Sequence, residues 1–378
     1  MARSVTYGQL AELWSGEIAL LIATEGESHP PGTAALLLDG SEHRVQLNGS
    51  REAGSRIDRA ELLDVVVDCP LCGERQAQVR FSVIQFFWQI PVVECGRCGL
   101  LYKKEVPRPP LLGCLYSDGY VHCRVDPPSE DELRALVPRV RRLGHPPGRH
   151  LDYGCGTGAF VAAASGAGWD SYGCDPYLPA IPETHPVCRR LCRAGPASLD
   201  DFGQFQAISI WAAVEHMTAP LAAFRALARC LETGGRLVFN CPNGASVVAL
   251  RDGSRWAMAL LLEHHIFMTP RSIQWLAGDT GLGVARIRKC GSPYPFGRSS
   301  ASATAQGLRP AVLGGERASI RLRDPLQARE TPARMGLAMV TSAVAAVGMS
   351  DRCSVWLRPV IEWLGIGDHI EATLVRHS

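Results

Sequence analysis

The run LDYGCGTGAF, residues 151–160, sets an acid, Asp152, two positions ahead of three alternate glycines, Gly154, Gly156 and Gly158. Glycine lets main-chain N–H groups approach a ligand that any side chain would block, so the run predicts a ligand-holding turn between a strand and a helix. Two ligand classes use such a turn: dinucleotides, whose pyrophosphate rests on the helix N-terminus, and S-adenosylmethionine, which carries an ammonium group and no phosphate. The spacing of Gly154, Gly156 and Ala159 nearly satisfies the dinucleotide pattern, and Asp175 lies about where its ribose-binding acid would. The glycines alone leave both classes open. Asp152 favours the second, since a carboxylate has no use beside a pyrophosphate.

Two further groups of residues could do chemistry. CPLCG supplies Cys69 and Cys72, and CGRCG supplies Cys95 and Cys98, with 22 residues between the pairs and a glycine directly after each. Thiolates at this spacing can close around one tetrahedral ion, so structural zinc is expected, ahead of a redox pair or an iron–sulfur site. Four thiolates leave no open coordination position, which gives such an ion a role in the fold and none in activating water. His216, and the pair His264 and His265 in LLEHHIFMTP, carry imidazoles whose ordinary pKa suits a general base. Each could equally cap a helix or brace a loop.

Length and composition bound the setting. The chain has 378 residues, 46% apolar and 20% charged, enough for one large core and a smaller unit. A net charge of +2 lacks the bulk electrostatics of non-specific nucleic-acid binding. The first residues, MARSVTYGQL, show no secretory pattern. The apolar run from Met335 to Met349 is shorter than the roughly 20 residues of a membrane span and predicts a buried helix. Outside the two pairs the 14 cysteines are scattered, which fits a reducing cytoplasm, with no membrane partner expected.

These groups need elements to hold them in place. Residues 1–60 read as an extension of unassigned role, with a hairpin turn at Asp39-Gly40. Residues 61–106 form the cysteine-rich unit, whose middle, VRFSVIQFFWQIPVVEC, alternates as ribbon strands do. Residues 107–149 read as a Pro-rich linker and a helix over about Ser129–Leu143. From residue 150 strands and helices alternate, as a doubly wound parallel sheet requires. Strands are expected at His150–Tyr153, Asp170–Cys174, Ala207–Trp211 and Arg236–Cys241, with helices at Ala159–Ala167 and Ala219–Leu231. TPRSIQWLAGDTGL opens a further helix with a Thr cap and a first-turn Pro. The terminal GDHIEATLVRH alternates as an edge strand would, and about 291–331 reads as an irregular insertion.

ISIWAAVEHM ends a strand in Glu215-His216, and ARCLETGGRLVFNCPN follows with a helix, a Gly-Gly turn and a strand. With these motifs the stretch from Leu151 to Leu282, together with the last strand, resembles the class I S-adenosylmethionine-dependent methyltransferases. Departures are Glu232-Thr233, where that family usually has Lys-Pro, and Gln206 in place of an Asp. The resemblance implies an α/β fold, a doubly wound, mostly parallel seven-stranded Rossmann-like sheet, with the cysteines as a small N-terminal zinc-binding ribbon. It places Asp152, Gly154, Gly156 and Gly158 around the methionine end of the cofactor and Asp175 on the ribose hydroxyls. Trp211 and Ala212 would face the sulfonium, Tyr116 and Tyr120 would fold over the cofactor, and one of His264 and His265 would stand near the substrate mouth.

A ribbon ahead of this pattern also resembles a bacterial group that modifies small molecules and sugars in biosynthesis, including natural products. The expectation is methylation of a small molecule, at oxygen, with a histidine base. The alternatives are an RNA methyltransferase docking through its ribbon and a protein that binds the cofactor without catalysis. Against RNA, the segment from Cys69 to Cys98 holds only Arg75, Arg80 and Arg97 and no lysine. Against the second, a scaffold has no need of an unhindered glycine turn.

Overall fold

A computed structural model of the chain describes residues 21–22, 33–38, 41–46, 63–85, 88–109, 112, 127–178, 180–290 and 367–377. Three short strands come first, β1 (Leu21–Ile22), β2 (Thr33–Leu38) and β3 (Ser41–Gln46), and form an antiparallel sheet. β2 and β3 pair across positions 39–40 with Leu38 opposite Ser41, the register a two-residue hairpin requires. Next come β4 (Leu63–Val65), β5 (Ala77–Gln85), β6 (Trp88–Cys95), β7 (Leu101–Lys103) and β8 (Glu105–Pro107). β5, β6 and β7 run antiparallel, and β4 pairs with β8.

Helix α1 (Glu130–Val140) starts at a capping box in which Ser129 and Glu132 satisfy each other's backbone N–H. It stops earlier than its sequence pattern suggests and tightens into a single turn over Arg141–Leu143 before Gly144. The remaining elements are β9 (Arg149–Tyr153), α2 (Ala159–Gly166), β10 (Asp170–Cys174), β11 (Leu191–Cys192), β12 (Phe205–Trp211), α3 (Pro220–Arg229) and β13 (Leu231–Pro242). They continue with α4 (Val247–Asp252), α5 (Ala257–Leu260), β14 (Ile266–Phe267), α6 (Pro270–Thr280), β15 (Leu282–Cys290) and β16 (His369–Arg376).

Seven of these strands form one sheet in the order β11-β10-β9-β12-β13-β16-β15. Only β16 runs against the others, being antiparallel to both neighbours. On one face α1 and α2 bury Val140, Phe160 and Ala164 against Trp169 and Ala207. Phe224, Leu227, Ile273 and Leu276 of α3 and α6 belong to a second core with Leu151, Ile208, Phe239 and Ile370. Chain order reverses between β9 and β12, so the loops beyond their carboxyl ends flank a crevice where open α/β sheets bind ligands.

One finding departs from the sequence expectations. β16 is not an edge strand: it lies between β13 and β15. Its polar face is covered because Glu371 takes Arg142 Nε at 2.8 Å and Arg288 Nη2 at 3.2 Å, so an ion pair does the work that an apolar face normally does. The cysteine unit is hydrogen-bonded into the large domain. β14 adds antiparallel to β7, and Cys69, Leu71, Cys95, Cys98 and Leu100 share one core cluster with Leu151, Ile208 and Ile273.

No helix among the described residues is long and apolar enough to cross a membrane. The proposed 291–331 insertion, the run from Met335 to Met349, and Tyr116 and Tyr120 lie outside the described residues.

Candidate active site and thiolate cluster

β9 delivers Asp152 to the rim of the crevice. The carboxylate is 3% exposed, and its Oδ1 accepts a 2.6 Å hydrogen bond from Ser209 of β12, its register partner. Burial pushes its pKa up to about 7, with the Ser209 bond and Arg139 pulling down and Asp175 pushing further up. Ser209 Oγ also meets His150 Nε2 at 2.9 Å, and His150 Nδ1 meets Ser171 Oγ at 2.7 Å. Ser209 has one proton, and with Asp152 ionised that proton goes to the carboxylate. His150 Nε2 then donates to Ser209, and Nδ1 accepts from Ser171. Complete burial lowers the His150 pKa to about 3, so the ring stays neutral and the relay keeps one direction. Sequence reading places His150 on a strand but gives no role to His150, Ser171 or Ser209, because the register between the strands brings them together.

The glycine loop follows. Gly154, Gly156 and Gly158 have φ of +76°, +52° and +85°, all left-handed. A Cβ on Gly154 would stand 2.6 Å from Ala213 Cβ, so the loops after β9 and β12 close on each other there. A Cβ on Gly156 would meet nothing within 4 Å and would enter the open crevice. Asp175, just past β10, joins the loop: Oδ2 accepts from Gly156 N–H at 3.0 Å and Oδ1 from Tyr177 N–H at 2.8 Å. Burial raises its pKa, those two N–H groups oppose the rise, and each oxygen keeps a lone pair for a hydroxyl donor. Ala212 takes the left-handed φ of 51°, and its N–H donates to the buried Asn240 side chain at 2.9 Å. A non-glycine residue held there marks a constrained position on the rim. The Trp211 ring instead packs on Phe160, centroids 5.4 Å apart, with the Arg139 guanidinium 5.5 Å above it.

These geometries separate two substitutions. Gly154→Ala should cost about 2–4 kcal/mol of stability, from backbone strain plus the clash with Ala213, read as a lower denaturation midpoint. Gly156→Ala should cost about 1 kcal/mol of left-handed strain, yet place a methyl in the crevice and weaken binding of an adenosyl ligand measured by calorimetry.

Beyond β12 the chain turns through Val214–His216 into a polar cluster that also includes the buried Glu263 and His264. The rings of His216 and His264 lie 4.9 Å apart, and His265 N–H donates to Glu215 O at 2.7 Å. His264 and His265 are 6% and 1% exposed, and burial lowers both pKa values well below the ordinary range. Burial pushes Glu215 and Glu263 up to about 8. The surprise is Lys103 of β7: fully buried, its Nζ donates to Leu261 O at 2.6 Å, and its N–H donates to His265 O at 3.0 Å. His265 also lines a small cavity with Tyr102, Lys103, Met217 and Ile266, between the cysteine unit and the domain. Of the three histidines expected from the sequence, His216 is thus the most accessible.

In the cysteine unit Cys69 and Cys98 Sγ lie 3.6 Å apart and Cys72 and Cys95 Sγ 3.4 Å apart, and all four lie within 4.8 Å of one another. A tetrahedron with bonds of about 2.3 Å has S···S edges of about 3.8 Å, so the four sulfurs suit a zinc-sized ion. Gly73 and Gly99, at φ of 71° and 74°, donate to Cys69 O and Cys95 O and close the two knuckles.

Residues 129–287 match a family model described as a methyltransferase domain. No curated protein matches the chain. Solved structures similar to it include an S-adenosylmethionine-dependent methyltransferase from Archaeoglobus fulgidus, at 14% identity over 65% of this chain and 94% of that one, with a TM-score of 0.38. Magnesium protoporphyrin IX methyltransferase from Synechocystis PCC 6803, solved with bound S-adenosylhomocysteine, is 18% identical over 43% of this chain and 78% of its own, with a TM-score of 0.32. A 1,6-didemethyltoxoflavin N1-methyltransferase from Burkholderia thailandensis is 16% identical over 43% and 72%, with a TM-score of 0.33. The match to a methyltransferase domain covers residues 129–287, and it takes in the glycine loop, Asp175 and the cluster beyond β12.

Proposed function

We propose that the enzyme methylates a small molecule in a biosynthetic pathway, at an oxygen atom, and that the cluster beyond β12 receives the acceptor's proton. The observation that carries this reading is the pairing of an open glycine cradle at Gly156 with the imidazole of His216, five residues past the end of β12. Bound S-adenosylmethionine supplies a methyl group on a sulfonium, an activated donor with its own leaving group. Asp152 is suited to the ammonium end, the Gly154–Gly158 loop to the methionine chain, Asp175 to the ribose hydroxyls and the Ala212 backbone to the rim near the sulfur. The chain's own work is to hold an acceptor oxygen in line with the methyl carbon and to keep water out. Held by Asp152, the Gly154–Gly158 loop and Asp175, the donor would give its methyl to the acceptor oxygen and keep the bonding electron pair on its own sulfur. The acceptor's proton passes to the histidine cluster.

In this reading Cys69, Cys72, Cys95 and Cys98 hold a structural zinc ion, and the ribbon braces the substrate side of the domain. The pairing of β7 with β14 supports bracing over RNA docking, because both partners of that contact are internal to the chain.

Calorimetry with S-adenosylmethionine, S-adenosylhomocysteine and NAD, followed by labelled methyl transfer to a panel of hydroxylated acceptors and to RNA, tests the proposal. Binding of the first two with transfer to a hydroxyl acceptor, lost in His216→Asn, is the expected result. Transfer to RNA alone overturns the substrate class.

A further inference from the structure

The cluster beyond β12 is built for more than a proton. Glu215, His216 and His264 each offer one ligand atom, and the three atoms lie within 4.8 Å of one another. Glu215 is 3% exposed, and its Oε2 has no hydrogen-bond partner. His264 is 6% exposed, and its Nδ1 has none either. A buried acceptor or donor left unpaired is strongly disfavoured, and here two of them belong to residues whose ligand atoms lie within 4.8 Å of each other, which asks for a shared partner. The buried Lys103 does not supply it, since its Nζ is directed to Leu261 O. On the far side of the ring, His264 Nε2 faces Glu263 Oε1 at 4.0 Å. A carboxylate close to one imidazole nitrogen leaves the other, the unpaired Nδ1, as the nitrogen available to a metal ion.

We propose that Glu215, His216 and His264 bind a divalent transition-metal ion of the zinc class, separate from the thiolate cluster and with coordination positions left open. Two nitrogens and one carboxylate oxygen are the donor set of open, reactive sites, whereas four thiolates close a structural one. Binding draws the three atoms together toward the roughly 3.3 Å edges of a tetrahedral site with bonds of about 2.0–2.1 Å. The ion's role, though not its presence, rests on the methyl-transfer reading. Beside an acceptor hydroxyl it would lower that group's pKa and so ease the loss of its proton.

The test uses the full chain, stripped with a chelator and titrated with cobalt(II) and then zinc. Wild type should take up two equivalents per chain. One shows the intense thiolate-to-cobalt absorption of the cysteine set, and the other only the weaker bands of a nitrogen and oxygen site. Glu215→Gln and His264→Ala should each take up one equivalent, with the thiolate band intact. His216→Gln, at a partly exposed position, should do the same and covers the case in which a buried substitution unfolds the chain. One equivalent in wild type, or two in a folded variant, overturns the proposal. S-adenosylmethionine binding, measured on the same samples, separates the two readings: two metals without cofactor binding would sink the methyltransferase mechanism alone, and cofactor binding with one metal would sink the metal site alone.

Discussion

Asp152→Asn should weaken S-adenosylmethionine binding by about 10- to 100-fold at pH 8 while making the ligand-free protein more stable. The first effect follows if Asp152 holds the ammonium group as proposed, since a charge-assisted contact of that kind is worth about 1.5–3 kcal/mol. The second follows from where that charge sits. Asp152 is almost fully buried, and its pKa rises from the ordinary 3.8 to about 7. A carboxyl group with a raised folded pKa gives stability that is complete below pH 3.8 and is lost as pH climbs through about 7, because the fold prefers the protonated form. Full ionisation therefore costs the ligand-free wild type on the order of 4 kcal/mol, and asparagine escapes that cost. Ser209 and Arg139 soften it, Asp175 adds to it, and His150, whose pKa burial lowers to about 3, does not offset it with a charge at pH 8. Thermal midpoints of wild type and Asp152→Asn should diverge between pH 4 and pH 8, and saturating ligand should rescue the wild type alone. Parallel curves, or unchanged affinity, would remove Asp152 from the cofactor site.

The features read correctly from sequence are those whose signal is local. The glycine loop is legible because its residues are consecutive and three left-handed turns leave no other residue type comfortable. Strands β9, β10 and β12 are legible because they are short, apolar and bounded by turns. β16 was misplaced because its alternation is real but its polar face is covered by Arg142 and Arg288, far away in sequence. The same cause hides the cluster beyond β12. Lys103, Glu215 and His264 come from three segments, joined only when β14 pairs with β7. A lysine in a ribbon strand carries no sequence mark of complete burial. The Ser171-His150-Ser209-Asp152 relay likewise depends on register between three strands, which no single stretch records.

Cys98→Ser should remove one metal equivalent and lower the melting midpoint of the whole protein by more than about 10 °C, in one transition. Structural zinc contributes about 10–16 kcal/mol to small modules, and in a domain of this size each kcal/mol moves the midpoint by roughly 2–4 °C. The single transition is the informative part, since a docking module on a linker would melt separately and leave the seven-stranded domain untouched. Here the second knuckle is welded to the large domain. Thr269 caps α6 and donates to Gly99 O at 3.0 Å, and Arg271 Nη2 donates to Gly96 O at 2.8 Å and Arg97 O at 2.6 Å. The Arg97 guanidinium lies 5.8 Å over the Trp275 ring, and the Cys69, Cys95 and Cys98 side chains are in the same apolar cluster as the sheet's own Leu151 and Ile208. Loosening the thiolates frees β7, and with it Lys103 and the β14 pairing that hold His264 and His265 in place. Methyl transfer should therefore fall further than S-adenosylmethionine affinity, because the glycine loop and Asp175 are anchored on β9 and β10. Two separate melting transitions, with catalysis retained after the first, would show that the ribbon is an appendage and return RNA docking to consideration.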